Sequence, residues 1–267
     1  MENNILQVPG ATLYYEIRGA GPLVVLVGAP MNATSFAGLA ELLAADHTVL
    51  TTDPRGINRS SVDDRERDST PELRADDLSR LLRHLDAGPA AVMGSSGGAV
   101  TALALVQAHP ELVHTVVAHE PPLAELLDDR DHVRAQTADY IATYLAGDVV
   151  GAWTKFFGQA SISIPDEVVK QMFSGERDPQ DVADEHFWFA HELRASAQWI
   201  PDIDLLRDAS TRIVVGVGAE STGQICDRTS AALAARLGVE RITFPGDHIG
   251  FVDDPERFAG RLRDVLY

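Results

Sequence analysis

A serine bounded by glycines, Gly94-Ser95-Ser96-Gly97-Gly98, stands between the apolar run Ala90-Ala91-Val92-Met93 and a helix-like run from Ala99 to Ala108. A strand, a tight turn and a helix, in that order, present the residue at the apex as a nucleophile. The turn is so sharp that side chains two positions either side of the serine would collide, which accounts for Gly94 and Gly98. Ser96 must adopt a strained backbone that lifts its hydroxyl clear of the sheet. The amides after it open a helix, so their N–H groups face the place where an oxyanion would form. A serine hydroxyl also needs a base that is neutral near pH 7, and imidazole has the right pKa for that task. His248 sits in Phe244-Pro245-Gly246-Asp247-His248-Ile249-Gly250-Phe251, after the short strand Arg241-Ile242-Thr243 and before a terminal helix from about Pro255 to Leu266. Ser96 and His248 are the candidate nucleophile and base.

The elements that must position them alternate. Strands are expected at Ala11 to Ile17, Leu23 to Val27, Thr48 to Thr52, Ala90 to Met93, Val113 to Ala118 and Ile213 to Val217. Between them lie helices at about Phe36 to Ala45, from Thr70-Pro71 through Leu85, and at Thr229 to Leu237. Thr70 is a good capping hydroxyl, with proline in the first turn, and Leu73, Leu78, Leu81, Leu82 and Leu85 recur at helical spacing. Strands alternating with amphipathic helices predict an α/β chain, a mostly parallel sheet covered on both faces. The rhythm breaks between about Pro121 and Arg207, where helical pieces and all three tryptophans occur. This stretch reads as a helical cap over the strand ends. The division expected is a core of residues 1–121 and 208–267 with a cap at 122–207. Met31, Trp153, Trp188 and Ile249 are candidates to line the pocket, the alternative for the tryptophans being the cap's own core.

The 267 residues include 22 lysines and arginines against 40 acids, a net charge of −18. Such a surface repels phosphate backbones, so nucleic acid is not an expected partner. No run of 18 apolar residues implies a membrane span, and Met1-Glu2-Asn3-Asn4 lacks the features of a signal peptide. Cys226 is the only cysteine, which excludes intramolecular disulfides and a cysteine-based zinc site. A cytoplasmic location is expected, and the sequence is compatible with a homodimer.

These motifs resemble those of the α/β-hydrolase superfamily over nearly the whole chain outside the cap. Asp53-Pro54-Arg55-Gly56-Ile57-Asn58-Arg59-Ser60 looks like its D-x-R-G-x-x-x-S turn. Leu26-Val27-Gly28-Ala29-Pro30 occupies the place of its H-G-x-P oxyanion loop, with Val27 replacing the histidine. The resemblance implies oxyanion donors at the Ala29 and Gly97 amides; Pro30 has no N–H, so a one-residue shift would lose a donor. The usual triad acid, an Asp after the penultimate strand, is Ser221 here, with Glu220 one step earlier. A second carboxylate lies in His119-Glu120-Pro121-Pro122. A subset of the superfamily, the zearalenone-type lactone hydrolases, places its acid after that strand in a His-Glu-x-Pro signature. Its last histidine also sits in a Pro-Gly-x-His loop. The resemblance favours Glu120, with Glu220 as the alternative acid.

Other readings are weaker. Gly216-x-Gly218 lacks the third glycine of a dinucleotide fingerprint, since Ser221 stands there. His119-Glu120 is followed by two prolines and starts no zinc-binding helix, and His186 and His191 do not share a helical face. No metal and no cofactor are expected. Epoxide hydrolase and dehalogenase chemistry need a carboxylate where Ser96 stands. The expected function is a serine hydrolase of a small apolar carboxylic ester or lactone. Thioester hydrolysis or acyl transfer by the same groups and a non-catalytic binder of a small ligand are the alternatives.

Overall fold

The computed structural model describes residues 2–266, so Met1 and Tyr267, the outermost residues of the expected core, lie outside the described residues. Nine strands occur among them: β1 (Glu2–Val8), β2 (Ala11–Arg18), β3 (Leu23–Val27), β4 (Thr48–Thr52), β5 (Ser61–Val62), β6 (Ala90–Ser95), β7 (Val113–His119), β8 (Arg212–Gly218) and β9 (Arg241–Phe244). The sheet order is β1-β2-β4-β3-β6-β7-β8-β9, with β5 paired to β2. From β4 to β9 neighbouring strands are parallel, while β2 runs antiparallel to both β1 and β4. The expected fold class, an α/β sheet with helices on both faces, is the one observed.

The two faces can be read from alternate residues of one strand. In β3, Leu23, Val25 and Val27 join one core cluster, and Val24 and Leu26 the other. A strand with apolar residues on both sides of the pleat must be covered twice. Helices α1 (Ala37–Leu43), α2 (Pro71–Leu85) and α3 (Gly97–Ala108) supply much of that cover. Ala75, Leu78 and Leu81 of α2 and Ala99 to Val106 of α3 pack on the first face. Leu39 and Leu43 of α1 pack on the second. Thr70 caps α2 as expected, its hydroxyl accepting from Leu73 N–H at 3.3 Å.

No strand lies between β7 and β8 among the described residues. Instead come α4 (Arg130–Leu145), α5 (Val149–Ala160), α6 (Asp166–Phe173), α7 (Pro179–Phe187), α8 (Leu193–Ala197) and α9 (Ile203–Asp208), with a π-helical turn at Trp188–Glu192 between α7 and α8. This helical segment has a core of its own, built from Tyr140, Tyr144, Phe189 and their neighbours. The chain ends with α10 (Ile225–Leu237), α11 (Gly250–Asp253) and α12 (Pro255–Leu266). Phe258 and Leu262 of α12 complete the second face.

The elements that differ from expectation include the short strand β5, β1, α10 and α11. β1 has an exposed, weakly apolar edge pattern and is held by its full pairing to β2. α10 starts four residues earlier than Thr229. The one-turn α11 follows the His248 loop directly. The turn after β4 is an internal clamp: Asp53 accepts from Ala33 N–H and from the Arg59 guanidinium, and Arg55 makes two hydrogen bonds to Asp77.

Candidate active site

Ser96 leaves β6 with φ 57° and ψ −128°, a conformation that costs a non-glycine residue about 1–3 kcal/mol and persists only where its surroundings enforce it. Its N–H donates to the His119 carbonyl at 3.0 Å, tying the turn to β7. A Cβ on Gly94 would strike the Gly98 carbonyl, and one on Gly98 would strike the Val27 carbonyl. The turn therefore closes only with glycine at both sites. Ser95 turns the other way. Its hydroxyl meets His119 Nδ1 at 3.0 Å in the buried core, while Ser96 lines a cavity.

The register of the sheet brings the acid to the same level. Ser95 pairs with His119 and His119 with Gly216, so Ser96, Glu120 and the end of β8 leave one edge side by side. Glu120 also has positive φ, 51°, and is fully buried. Both its oxygens are engaged: Oε1 accepts from Gly218 N–H at 2.8 Å, and Oε2 lies 2.6 Å from His248 Nδ1. Burial alone would raise the Glu120 pKa, but the hydrogen bond and charge of His248, together with the neighbouring His119 and Ser221, outweigh it and hold the pKa down, at about 2. Of these, Ser221 stands at the position expected of an Asp.

For His248, burial favours the neutral ring, whereas Cys226 and Glu120 beside it favour the cation, and the balance lies above the ordinary imidazole value. His119, by contrast, is buried against the edges of Phe244 and Phe258. Burial pulls its pKa down to about 4, so it is neutral. Glu220 is exposed and contributes only its backbone, N–H to the Gly246 carbonyl. The carboxylate on His248 is thus Glu120.

Ala29 and Gly97 meet across the loop after β3. A Cβ on Gly97 would lie 2.5 Å from the Ala29 carbonyl oxygen. Neither N–H donates to an acceptor among the described residues, and both residues line the cavity with Ser96. The Ala29-Pro30 peptide is cis.

The cavity holds about 560 Å³ and is walled by the sheet edge on one side and by the helical segment on the other. Trp188 and Ile249 line it. Met31 and Trp153 do not. Met31 packs on the second core face, and Trp153 stacks on Phe173, with its Nε1 donating to Glu185 at 2.7 Å. Trp153 belongs to the core of the helical segment because its N–H finds a buried carboxylate there.

Cys226 went unnoticed as a site residue. It lines the cavity, and its sulfur lies with atoms of Glu120 and His248 in a group whose members are all within 4.8 Å of one another. Those are ligand types a divalent metal accepts, but both Glu120 oxygens and His248 Nδ1 are already engaged with one another or with Gly218. The signal for Cys226 was only its position at the start of α10, which no periodicity distinguishes.

Known proteins agree with this architecture. The chain is 32% identical to an uncharacterized hydrolase, YraK, of Bacillus subtilis (strain 168), covering all of this chain and 96% of that one. It is 28% identical to a zearalenone hydrolase of Bionectria ochroleuca, over 94% of this chain and 92% of the relative. Among solved structures, an esterase from Exiguobacterium antarcticum superposes with a TM-score of 0.74 at 19% identity, covering 99% of each chain. The sequence profile of the alpha/beta hydrolase fold matches residues 21–157. With its parallel sheet, its strained serine turn and these relatives, the chain belongs to the α/β-hydrolase family.

Proposed function

We propose that this chain hydrolyses a carboxylic ester or lactone through an acyl-enzyme on Ser96, with His248 as general base and Glu120 as the acid that orients it. One observation carries the reading: the 2.6 Å contact of Glu120 Oε2 with His248 Nδ1 stands at the cavity that also holds Ser96. With Nδ1 engaged, Nε2 is the nitrogen left to take the serine proton. Ser96 Oγ attacks the carbonyl as His248 accepts that proton. The oxyanion rests on the Ala29 and Gly97 N–H groups, each such donor being worth about 3 kcal/mol in a preorganised site. His248 then protonates the leaving alcohol and afterwards activates the water that releases the acid. With a lactone, the alcohol stays attached to the acyl chain, and a single hydroxy acid results. The likeness to a zearalenone hydrolase supports the lactone arm.

Residues 122–207 act as the cap in this reading, because their side chains form the cavity wall opposite Ser96. The test is labelling by a fluorophosphonate probe together with turnover of p-nitrophenyl esters of increasing length and of small and macrocyclic lactones. The wild type labels at Ser96 and cleaves members of the panel, while Ser96→Ala keeps its fold and does neither. A wild type that neither labels nor cleaves any of them overturns the proposal.

A further inference from the structure

One polar group on the cavity wall has its polarity dictated by its neighbours. Gln159 of α5 lines the cavity, and its Nε2 donates to the Val133 carbonyl and to Thr137 Oγ1, both at 2.9 Å. A carbonyl can only accept, so the amide nitrogen must face α4, and the oxygen cannot exchange with it. Thr137 donates its own proton to the Val133 carbonyl at 3.0 Å, and Tyr140 donates to Thr137 at 3.3 Å. The side-chain protons of Gln159, Thr137 and Tyr140 are therefore all committed within the protein. What remains is an acceptor, Gln159 Oε1, which has no donor among the described residues.

Around it the wall is apolar, with Val133, Phe156 and Ile164 among the lining residues. Ser163 and Gln224 hold no side-chain partner among the described residues and rotate to present either polarity, whereas Ser196 accepts from Arg74 Nη2 at 2.8 Å and keeps its proton to offer. On the helical segment Gln159 is the lining side chain locked as an acceptor; the other fixed acceptor, the Asp247 carboxylate, stands beside His248 on the opposite wall and already accepts from Ile249 N–H. Ser96, Ala29 and Gly97 stand across the cavity from Gln159, on the sheet edge.

From this we infer that the substrate is an apolar ester or lactone carrying a neutral hydroxyl remote from its scissile carbonyl, and that Gln159 Oε1 accepts that hydroxyl's proton. The inference rests on the hydrolase reading above. A carboxylate or carbonyl at that end would meet another acceptor. An ammonium would be stripped of water with no counter-ion among Val133, Thr137, Tyr140 and Gln159. A hydroxyl gains a hydrogen bond in place of one to water, a net effect of about fivefold.

The experiment pairs p-nitrophenyl alkanoates with their ω-hydroxy counterparts over a range of chain lengths, assayed on the wild type, Gln159→Leu and Gln159→Met. At the length that spans the cavity, the hydroxy-to-plain ratio of kcat/KM should be about fivefold higher in the wild type than in either variant. Using the ratio cancels the lower hydrophobicity of the hydroxylated chain and any general loss from the substitution. Equal ratios in all three proteins at every length overturn the inference. Failure of the wild type to cleave any ester or lactone would instead sink the hydrolase reading. In that case calorimetric binding of the same pairs to Ser96→Ala, with and without Gln159→Leu, still decides, since equal affinity ratios reject the role of Gln159.

Discussion

Two non-glycine residues with positive φ, Ser96 at 57° and Glu120 at 51°, stand at the ends of adjacent strands. Both are held there by backbone hydrogen bonds to the neighbouring strand, Ser96 N–H to His119 and Glu120 N–H to Gly216. Such strain survives because releasing either would break a buried bond. Glu120→Gln should lower kcat roughly ten-thousandfold, because an amide at Nδ1 no longer selects the tautomer that leaves Nε2 free. Glu220→Gln should stay within about tenfold of the wild type, since the Glu220 side chain is exposed and His248 Nδ1 is held by Glu120. Steady-state kinetics on the two variants decide it, and the reverse order would reassign the acid. The pH profile follows from the same pair. His248 must be neutral to accept a proton, and Cys226 and Glu120 hold its pKa above the usual 6.5. Activity should therefore rise with pH through a midpoint above 6.5 and be lost as pH falls through it. In Glu120→Gln that midpoint should move down, as the charge that favours the imidazolium is gone.

At the scale of elements, the site depends on how closely α3 approaches β3. Gly98 permits that approach, because any Cβ there would strike the Val27 carbonyl in a strand paired on both sides. Neither the strand nor the helix can yield without breaking ladder hydrogen bonds, so overpacking of about 1–3 kcal/mol is expected. Gly98→Ala should lower Tm by about 5 °C. Gly260 is the control: it lies in α12, and a methyl group added there would have nothing within 4 Å. Gly260→Ala should leave Tm unchanged or raise it, since alanine is the better helix former by about 1 kcal/mol. Thermal unfolding of the two variants makes the comparison, and a Gly98→Ala protein that melts no lower than the wild type would mean that the serine turn tolerates bulk.

Over the whole molecule, 40 acidic residues face 22 lysines and arginines. Even with every cation paired, a net charge of −18 remains, and its self-repulsion opposes the compact state. Many ion pairs are exposed, such as Arg80–Asp76 and Arg83–Glu111; pairs of this kind are worth little, so screening them loses little. Adding salt from about 0.01 M to about 0.5 M shortens the screening length several-fold. Tm should accordingly rise by a few degrees, and a fall would mean that the ion pairs outweigh the repulsion. Among the described residues no helix is long and apolar enough to cross a membrane.

How far the sequence alone reached depended on the range of the signal. The strand–serine–helix turn was legible because glycine spacing, an apolar strand and a helical run all lie within about twenty residues and answer to local sterics. The α/β alternation was legible for the same reason, each element carrying its own periodicity. β1 was missed because an exposed edge strand needs no apolar pattern, only a partner, and β2 supplies it. Local pattern could not choose between Glu120 and Glu220, as both follow strands at one sheet edge. The register of β7 against β8 and the turn of Glu120 into left-handed φ settled which carboxylate meets His248. Trp153 and Trp188 read alike as sequence and both pack into the core of the helical segment, yet only Trp188 also reaches the cavity, while the Trp153 N–H is drawn to the buried Glu185. The polarity of Gln159 had no local trace at all, because it arises from a carbonyl 26 residues away. Propensity and steric rules act between near neighbours in the chain, whereas hydrogen-bond partners are assigned only when the tertiary fold has brought distant groups within reach.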